Sequence, residues 1–381
     1  MEDRRPMQFE IGGVLSTEVN DNDSATRVVV AHELDPFVDT HQAASADFVL
    51  ERGRWERRPE LVDIHGLAAD GVLSGSDGHD VYALLDGRMA TIPDPWRDPV
   101  PRIAYEPGFP VRRLFPSLVR PCLQALLARR QVASVHAASV DHDGSAILVA
   151  GWSESGKTET ALALMESGAG FLSDKWTLLS ADGLASAFPI NVGVRRWVLQ
   201  YLPTLRGALP RGSSVQFLAS AGAQTFLSPI LRARLRGRVG GLVQDAAHQA
   251  IALADRVGLT PSELRTAYGQ RDDAARRIPA RMLVLLTTVP DGRRPAIRDV
   301  SRDWAIERLV RAATFERRPF LAWLDRVAYA APDRSSDASG WPDLDRDVLR
   351  QALEPVELVH IEAPFPTDPR TVADLIRDRL R

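Results

Sequence analysis

The sequence predicts an α/β protein with a central sheet carrying a phosphate-binding glycine loop, and a β-rich module over residues 1–115 ahead of an α/β domain over 116–381. Three observations predict it. First, the apolar run Ser145-Ala146-Ile147-Leu148-Val149-Ala150 feeds Gly151-Trp152-Ser153-Glu154-Ser155-Gly156-Lys157-Thr158, and Thr158 to Glu166 has the spacing of a helix leaving that loop. Second, residues 7–115 are short apolar bursts separated by Gly, Asp and Pro turns, the texture of strands. Third, Arg281-Met282-Leu283-Val284-Leu285-Leu286 is a strand run suited to a sheet buried on both faces, and it is expected to join the central sheet.

With 381 residues, 45% of them hydrophobic, the chain can bury a substantial core. Its formal charge of −3 comes from many charges of both signs and leaves no basic excess of the kind that binds nucleic acid or an anionic membrane. The single cysteine, Cys122, rules out an intramolecular disulfide and a multi-cysteine metal site. Met1-Glu2-Asp3-Arg4-Arg5 is not followed by the apolar stretch of a signal peptide, and no apolar run approaches membrane-spanning length, so a cytoplasmic location is expected. An oligomer is compatible with all of this.

In chain order, Val28-Val29-Val30, Phe48-Val49-Leu50 and Val81-Tyr82-Ala83-Leu84-Leu85 are expected strands of the first module. Pro93 to Pro101 holds four prolines around Trp96 and reads as a linker or edge. Ser117 to Arg130 turns helical, with Leu118, Cys122, Leu126 and Leu127 on one face and Pro121 suited to a first turn. Ser134 to Val140 is an expected strand, and Asp141-His142-Asp143-Gly144 turns it into the strand before the loop as a hairpin.

In a strand, glycine loop and helix arranged this way, successive backbone N–H groups and the positive end of the helix dipole converge on a polyphosphate. Gly151, Ser153, Glu154, Ser155, Gly156, Lys157, Thr158 and Glu159 form the expected nucleotide-binding set, with Lys157 on the outer phosphates and the Thr158 hydroxyl on magnesium. Composition strengthens this reading. Only two of the 47 basic residues are lysines, Lys157 and Lys175, and both fall in one supersecondary unit. A compact ammonium and a planar guanidinium are not interchangeable in a tight phosphate cradle, so an arginine-rich chain keeps lysine where the chemistry demands it. For Lys175 the alternative is chance.

The helix should stop near Gly168-Ala169-Gly170, and Phe171-Leu172-Ser173 forms a short strand ending at Asp174. A carboxylate there suits either a metal ligand or the base that takes a proton from an attacking hydroxyl; the competing reading is a turn cap.

The order His136-Ala137, apolar strand, Gly151 to Glu159, helix, then Leu172-Ser173-Asp174 resembles the kinase domain of HPr kinase/phosphorylase and its relatives, which include serine kinases of modified-peptide pathways. The resemblance covers about residues 134–190. It implies that Gly151, Gly156, Lys157 and Thr158 bind nucleotide and magnesium, that Asp174 is the catalytic base, and that His136 assists it; with the placement above, Thr158 and Asp174 are the expected metal ligands. For His136 a histidine satisfied within a strand is the alternative. The chain departs from the family in two ways: Lys175 stands where a second aspartate is usual, and the later metal-binding glutamate is not recognisable near residues 191–200. A reversed charge at 175 removes one ligand or proton acceptor and places an ammonium against phosphate or against Asp174.

Further on, Arg195-Arg196-Trp197 and the cluster Arg232, Arg234, Arg236 and Arg238 suit either an anion grip or a solvated face. Helical spacing from Ala246 to Tyr268 breaks at Gly258, with Thr260-Pro261-Ser262-Glu263 as a fresh start. Residues 301–331 read as an amphipathic helix with Trp304, Ile306, Leu309, Val310 and Phe315 as core candidates, and Ala331 to Pro342 as a mobile loop. Val356 to Ile361 is a closing strand holding a structural His360, and Thr371 to Leu380 a final helix.

The expected function is ATP-dependent phosphoryl transfer to a hydroxyl, the resemblance implying a serine of a peptide or protein, with ATP or another nucleoside triphosphate and Mg2+ as cofactors. The competing class is a catalytically weak or inactive nucleotide-binding regulator or assembly factor, whose partner is a protein and not nucleic acid or membrane.

Overall fold

The computed structural model describes residues 5–37, 45–53, 55, 57–66, 72–209, 256–271, 273, 275–332 and 338–381. The architecture is mixed α/β. The N-terminal strands are β1 (Met7–Ile11), β2 (Leu15–Asn20), β3 (Phe48–Arg52), β4 (Asp63–Gly66), β5 (Leu73–Ser76), β6 (Val81–Leu85), β7 (Arg88–Thr91) and β8 (Arg102–Tyr105), which form one sheet in the order β1-β2-β3-β8-β7-β6-β5-β4. The apolar burst at Val28-Val29-Val30 is not a strand, as expected from sequence, but lies in helix α1 (Ser24–Leu34). The Asp23 carboxylate accepts the Thr26 N–H and nucleates the first turn, and only Val30 of the three valines is buried. A local cap therefore overrides β-propensity. Pro93 to Pro101 is likewise not a linker between units: it joins β7 to β8 within the sheet, and Trp96 in it packs edge-on to Trp341 with ring centroids 5.1 Å apart.

A π-helical turn, Phe115–Val119, leads into α2 (Arg120–Arg129), which buries Leu118, Cys122, Leu126 and Leu127 against the first sheet. The second sheet follows. Its strands β9 (Val132–Val135) and β10 (Ala137–His142) replace the single strand expected over 134–140. The chain bends at His136, so that β9 pairs with β13 (Thr177–Ser180) and β10 with β11 (Ser145–Gly151) and β12 (Gly170–Ser173). The β10–β11 hairpin turns through Asp143 and Gly144 at φ 52° and 81°, the left-handed pair that matches strand twist.

Strands β14 (Leu184–Ala187) and β17 (Arg277–Val289) bind this sheet together. The start of β17 pairs antiparallel with β14, and its later residues lie parallel between β11 and β19 (Glu357–Pro364), with β18 (Ala296–Asp299) on the outer edge. Alternate residues of β11 and β17 serve opposite faces. Ile147, Val149, Met282, Val284 and Leu286 pack under α3 (Lys157–Glu166) and the C-terminal helix, while Leu148, Leu283 and Leu285 pack on the other side. On the first face also lie β15 (Val192–Arg195) paired with β16 (Arg256–Leu259), and the helices α4 (Pro203–Ala208) and α5 (Pro261–Ala267). Thr260 and Glu263 close a capping box at the start of α5, as Thr260-Pro261-Ser262-Glu263 suggests in sequence. The arginine cluster at 232–238 and the helical spacing expected from Ala246 lie, up to 255, outside the described residues; from Arg256 to Leu259 the chain is strand β16 and not the helix expected before Gly258.

The opposite face is covered by α6 (Arg302–Ala330) and α7 (Trp341–Ala352), and α8 (Pro369–Leu380) ends the chain beside α3. Of the stretch expected as a loop, 333–337 lies outside the described residues, while Trp341 and Pro342 already belong to α7. Within α6, Ile306, Leu309 and Val310 are buried as expected, but Phe315 is exposed at the glycine loop.

Arg317 of α6 is buried with Asp345 of α7, donates to the Ser134 carbonyl at 3.2 Å, and lies over the Trp341 ring at 4.1 Å. Among the described residues, Arg317 Nε and Asp345 Oδ1 have no hydrogen-bond partner, so the pair is incompletely satisfied there. Replacing Asp345 with alanine leaves an uncompensated guanidinium and is expected to cost about 3–5 kcal/mol, read from the urea midpoint. Arg317→Met with Asp345→Leu should recover most of that loss, because a half-satisfied buried pair is replaceable by apolar packing. A double variant as unstable as the single one would contradict this.

Candidate functional site

The glycine loop links the end of β11 to α3, and each of its special positions has a steric cause. A Cβ on Gly151 would meet the Leu286 carbonyl oxygen at 2.8 Å, so the loop packs too closely on β17 for any other residue. Gly156 enters α3 at φ 90°, a left-handed conformation, and a Cβ there would press on the Phe365 ring at 3.1 Å. The N-cap of α3 is Gly156, which has no side chain to cap the first turn, and the cavity lies beside that turn.

That cavity, of about 260 Å³, brings together His136, Ser153, Glu154, Ser155, Gly156, Lys157, Thr158, Glu159, Asp174 and Lys175. Gly151 lies behind them at the base of the loop. Lys157 is buried and donates to the Gly151 and Trp152 carbonyls at 3.1 and 2.7 Å, bridging the loop. Thr158 Oγ1 donates to Asp174 Oδ1 at 2.8 Å. Ser155 Oγ is buried with no hydrogen-bond partner among the described residues.

The sequence did not mark four further lining residues: Asn191, Gly193, Arg256 and Glu316. Arg195, one of two arginines flagged before Trp197, joins them: it donates to Glu154 Oε1 at 2.7 Å and lies 3.7 Å from Glu159 Oε1. Glu316 comes from α6. Its carboxylate lies 3.6 Å from Lys175 Nζ and 4.0 Å from His136 Nε2. Lys175 holds φ 58°, a left-handed conformation unfavourable for a residue with a Cβ, in the tight turn between β12 and β13. Only the position of Glu316 on the polar side of a long helix could have hinted at it, and that is no specific signal.

Burial sets the protonation of the site. It pushes the His136 pKa down to about 2, helped by Lys157 and Lys175, so the imidazole is neutral and its approach to Glu316 is not an ion pair. Burial raises the Asp174 carboxyl above its ordinary value against the pull of the Thr158 hydroxyl and the two lysines, and raises Glu159 against Arg195. Burial lowers Lys157 to about 8, against Asp174, Glu316 and Glu159.

The Lys157 shift has a measurable sign. Between about 8 and the ordinary value of 10.5 the unfolded chain holds this proton and the folded chain does not, so this group's contribution to stability rises with pH in that window. An anion bound at Lys157 favours the ammonium and takes up a proton there. Anion affinity is expected to fall as pH rises above about 8, with proton uptake seen by calorimetry in buffers of different ionisation enthalpy. A flat profile between pH 7 and pH 9.5 would contradict that expectation.

Thr158 and Asp174 offer adjacent hard oxygen donors, the donor chemistry that suits Mg2+. Among the described residues, three or more His, Cys, Asp or Glu side chains nowhere cluster as a metal site, so these two need oxygens from elsewhere to complete a shell. No helix among the described residues is long and apolar enough to cross a membrane.

Fold and site together define a mixed α/β protein with a buried lysine, a hydroxyl–carboxylate pair and an uncapped helix start around one cavity. No protein-family model and no curated protein matches the chain.

Proposed function

We propose that the chain is a kinase of the P-loop class, with a central sheet like that of HPr kinase/phosphorylase, that transfers the terminal phosphoryl group of ATP to a hydroxyl, a serine of a peptide or protein being the acceptor its sequence resemblance implies. The observation that carries this reading is the Thr158–Asp174 contact at 2.8 Å beside Lys157 in one cavity. Phosphoryl transfer needs positioning and charge neutralisation more than covalent help from the protein.

In this reading the amides of residues 153–158 and the start of α3 bind the phosphates, and Lys157 leaves the Gly151 and Trp152 carbonyls for the outer phosphate oxygens. Mg2+, held through Thr158 and Asp174, would supply neutralisation of phosphate charge when bound. Asp174 accepts the proton of the attacking hydroxyl, and its burial-raised pKa makes it a better acceptor. Neutral His136 lines the acceptor side of the cavity, and Glu316 holds Lys175. Arg195 and Glu159 steady the rim.

The second reading, a nucleotide-binding regulator with little or no turnover, is favoured by one feature: a cation at 175 where the resemblance has a carboxylate. Terminally labelled ATP incubated with serine-containing peptides, alongside a binding assay, separates the two. Transfer to a peptide supports the kinase; tight binding with neither transfer nor hydrolysis supports the regulator. Lys175→Ala and Lys175→Asp are expected to change ATP affinity or transfer at least threefold, since an ammonium within reach of phosphate contributes roughly 1 kcal/mol. Unchanged values in both would make Lys175 a bystander.

A further inference from the structure

We propose that an aromatic pocket on the α6 side of the glycine loop receives the base of the nucleotide, with a purine as its preferred ligand; this rests on the nucleotide reading of the loop. Among the described residues, two crevices besides the phosphate cavity adjoin the loop, both bordered by the later part of β17. The one beside α8, lined by Ser155, Gly156, Thr287, Phe365 and Thr367, holds about 10 Å³, room for about one water. The other holds about 400 Å³ and is continuous with the loop through Gly151 and Trp152. Of these two, only the second has room for a base.

The chemistry of that pocket fits a flat, uncharged, aromatic group. Trp152 is 48% exposed although it belongs to the loop, and its ring lies 4.7 Å from that of Phe315, which is 38% exposed. Trp304 stands across the pocket with the Arg308 guanidinium 4.7 Å over its ring, and Leu285, Leu309 and Ala312 complete an apolar lining. Arg308 also donates to Thr287 Oγ1 at 2.9 Å, which fixes it in place. The polar groups are few: Arg308 and Arg311 are donors, and the acceptor Glu307 is held by Arg346 at 2.6 Å and lies 4.0 Å from Arg311, so the ring faces offer the base its main contact. Three aromatic residues, one on the loop itself and two on α6, thus gather on the α6 side of the loop whose later residues line the phosphate cavity.

The test compares MgATP with inorganic tripolyphosphate, which has the phosphates and no base, by calorimetry on the full chain. In Trp152→Ala, ATP affinity is expected to fall about tenfold or more, the loss of one stacked base, while tripolyphosphate affinity stays within about twofold. The preference of the unaltered protein for ATP over CTP should shrink in the same variant. Arg308→Ala serves as a second variant on the far wall and should weaken ATP selectively as well. The proposal is overturned if Trp152→Ala moves both ligands together or moves neither, or if Phe365→Ala alone shows the ATP-selective loss. If the unaltered protein binds neither ATP nor tripolyphosphate, the nucleotide reading itself fails, and the base site with it.

Discussion

Replacing Asp174 with asparagine is expected to lower phosphoryl transfer about a thousandfold, the mid-range for a general base, while changing ATP affinity by less than about threefold. Asparagine keeps the shape and can still accept the Thr158 hydroxyl, so the loop should stay in place. What it removes is the proton acceptor. The Asp174 carboxylate is buried, and burial holds its pKa above that of an ordinary aspartate. Three outcomes are distinguishable. A large loss that raised magnesium does not restore assigns Asp174 to proton transfer; a loss that magnesium restores assigns it to holding the metal. A loss under about tenfold would show that Asp174 only orients Thr158, and the base would have to be sought elsewhere.

Lys157→Ala is expected to weaken ATP binding about a hundredfold, the order of one or two charge-assisted hydrogen bonds lost from a buried site. Its effect on stability should be small or favourable. An ammonium buried to the extent seen here is held at a cost, which is why its pKa falls to about 8. Calorimetry and thermal melting on the same preparation separate this from the structural alternative. Were Lys157 only a tie between the Gly151 and Trp152 carbonyls, the variant would melt earlier and bind ATP as before.

What could be read from the sequence was what local chemistry decides. The β11, loop and α3 unit is contiguous, its glycines answer to steric demands within a few residues, and the Asp143-Gly144 turn dictates its hairpin. Asp174 was legible as a candidate because it follows directly on a short strand near the loop in sequence; that strand, β12, pairs with β10, the neighbour of the loop strand. Elsewhere the deciding partner was distant or the pattern ambiguous. Val28-Val29-Val30 suits a strand by propensity and became helix through one capping aspartate. His136 looked like a strand interior, yet it sits at the bend where β9 and β10 part to different partners, an arrangement that β13 and β11 impose. Phe315 was read as core of an amphipathic helix and Glu316 was not singled out; no periodicity reveals that this turn of α6 passes the cavity and the loop. Arg256 enters only because β16 pairs with β15.

The most direct test of the central claim is a structure solved with magnesium and a non-hydrolysable ATP analogue. The account predicts the outer phosphates against the main-chain amides between Ser153 and Thr158, with Lys157 Nζ turned away from the Gly151 and Trp152 carbonyls onto phosphate oxygen. An analogue bound elsewhere, or Lys157 still bridging those carbonyls with phosphate present, would contradict it.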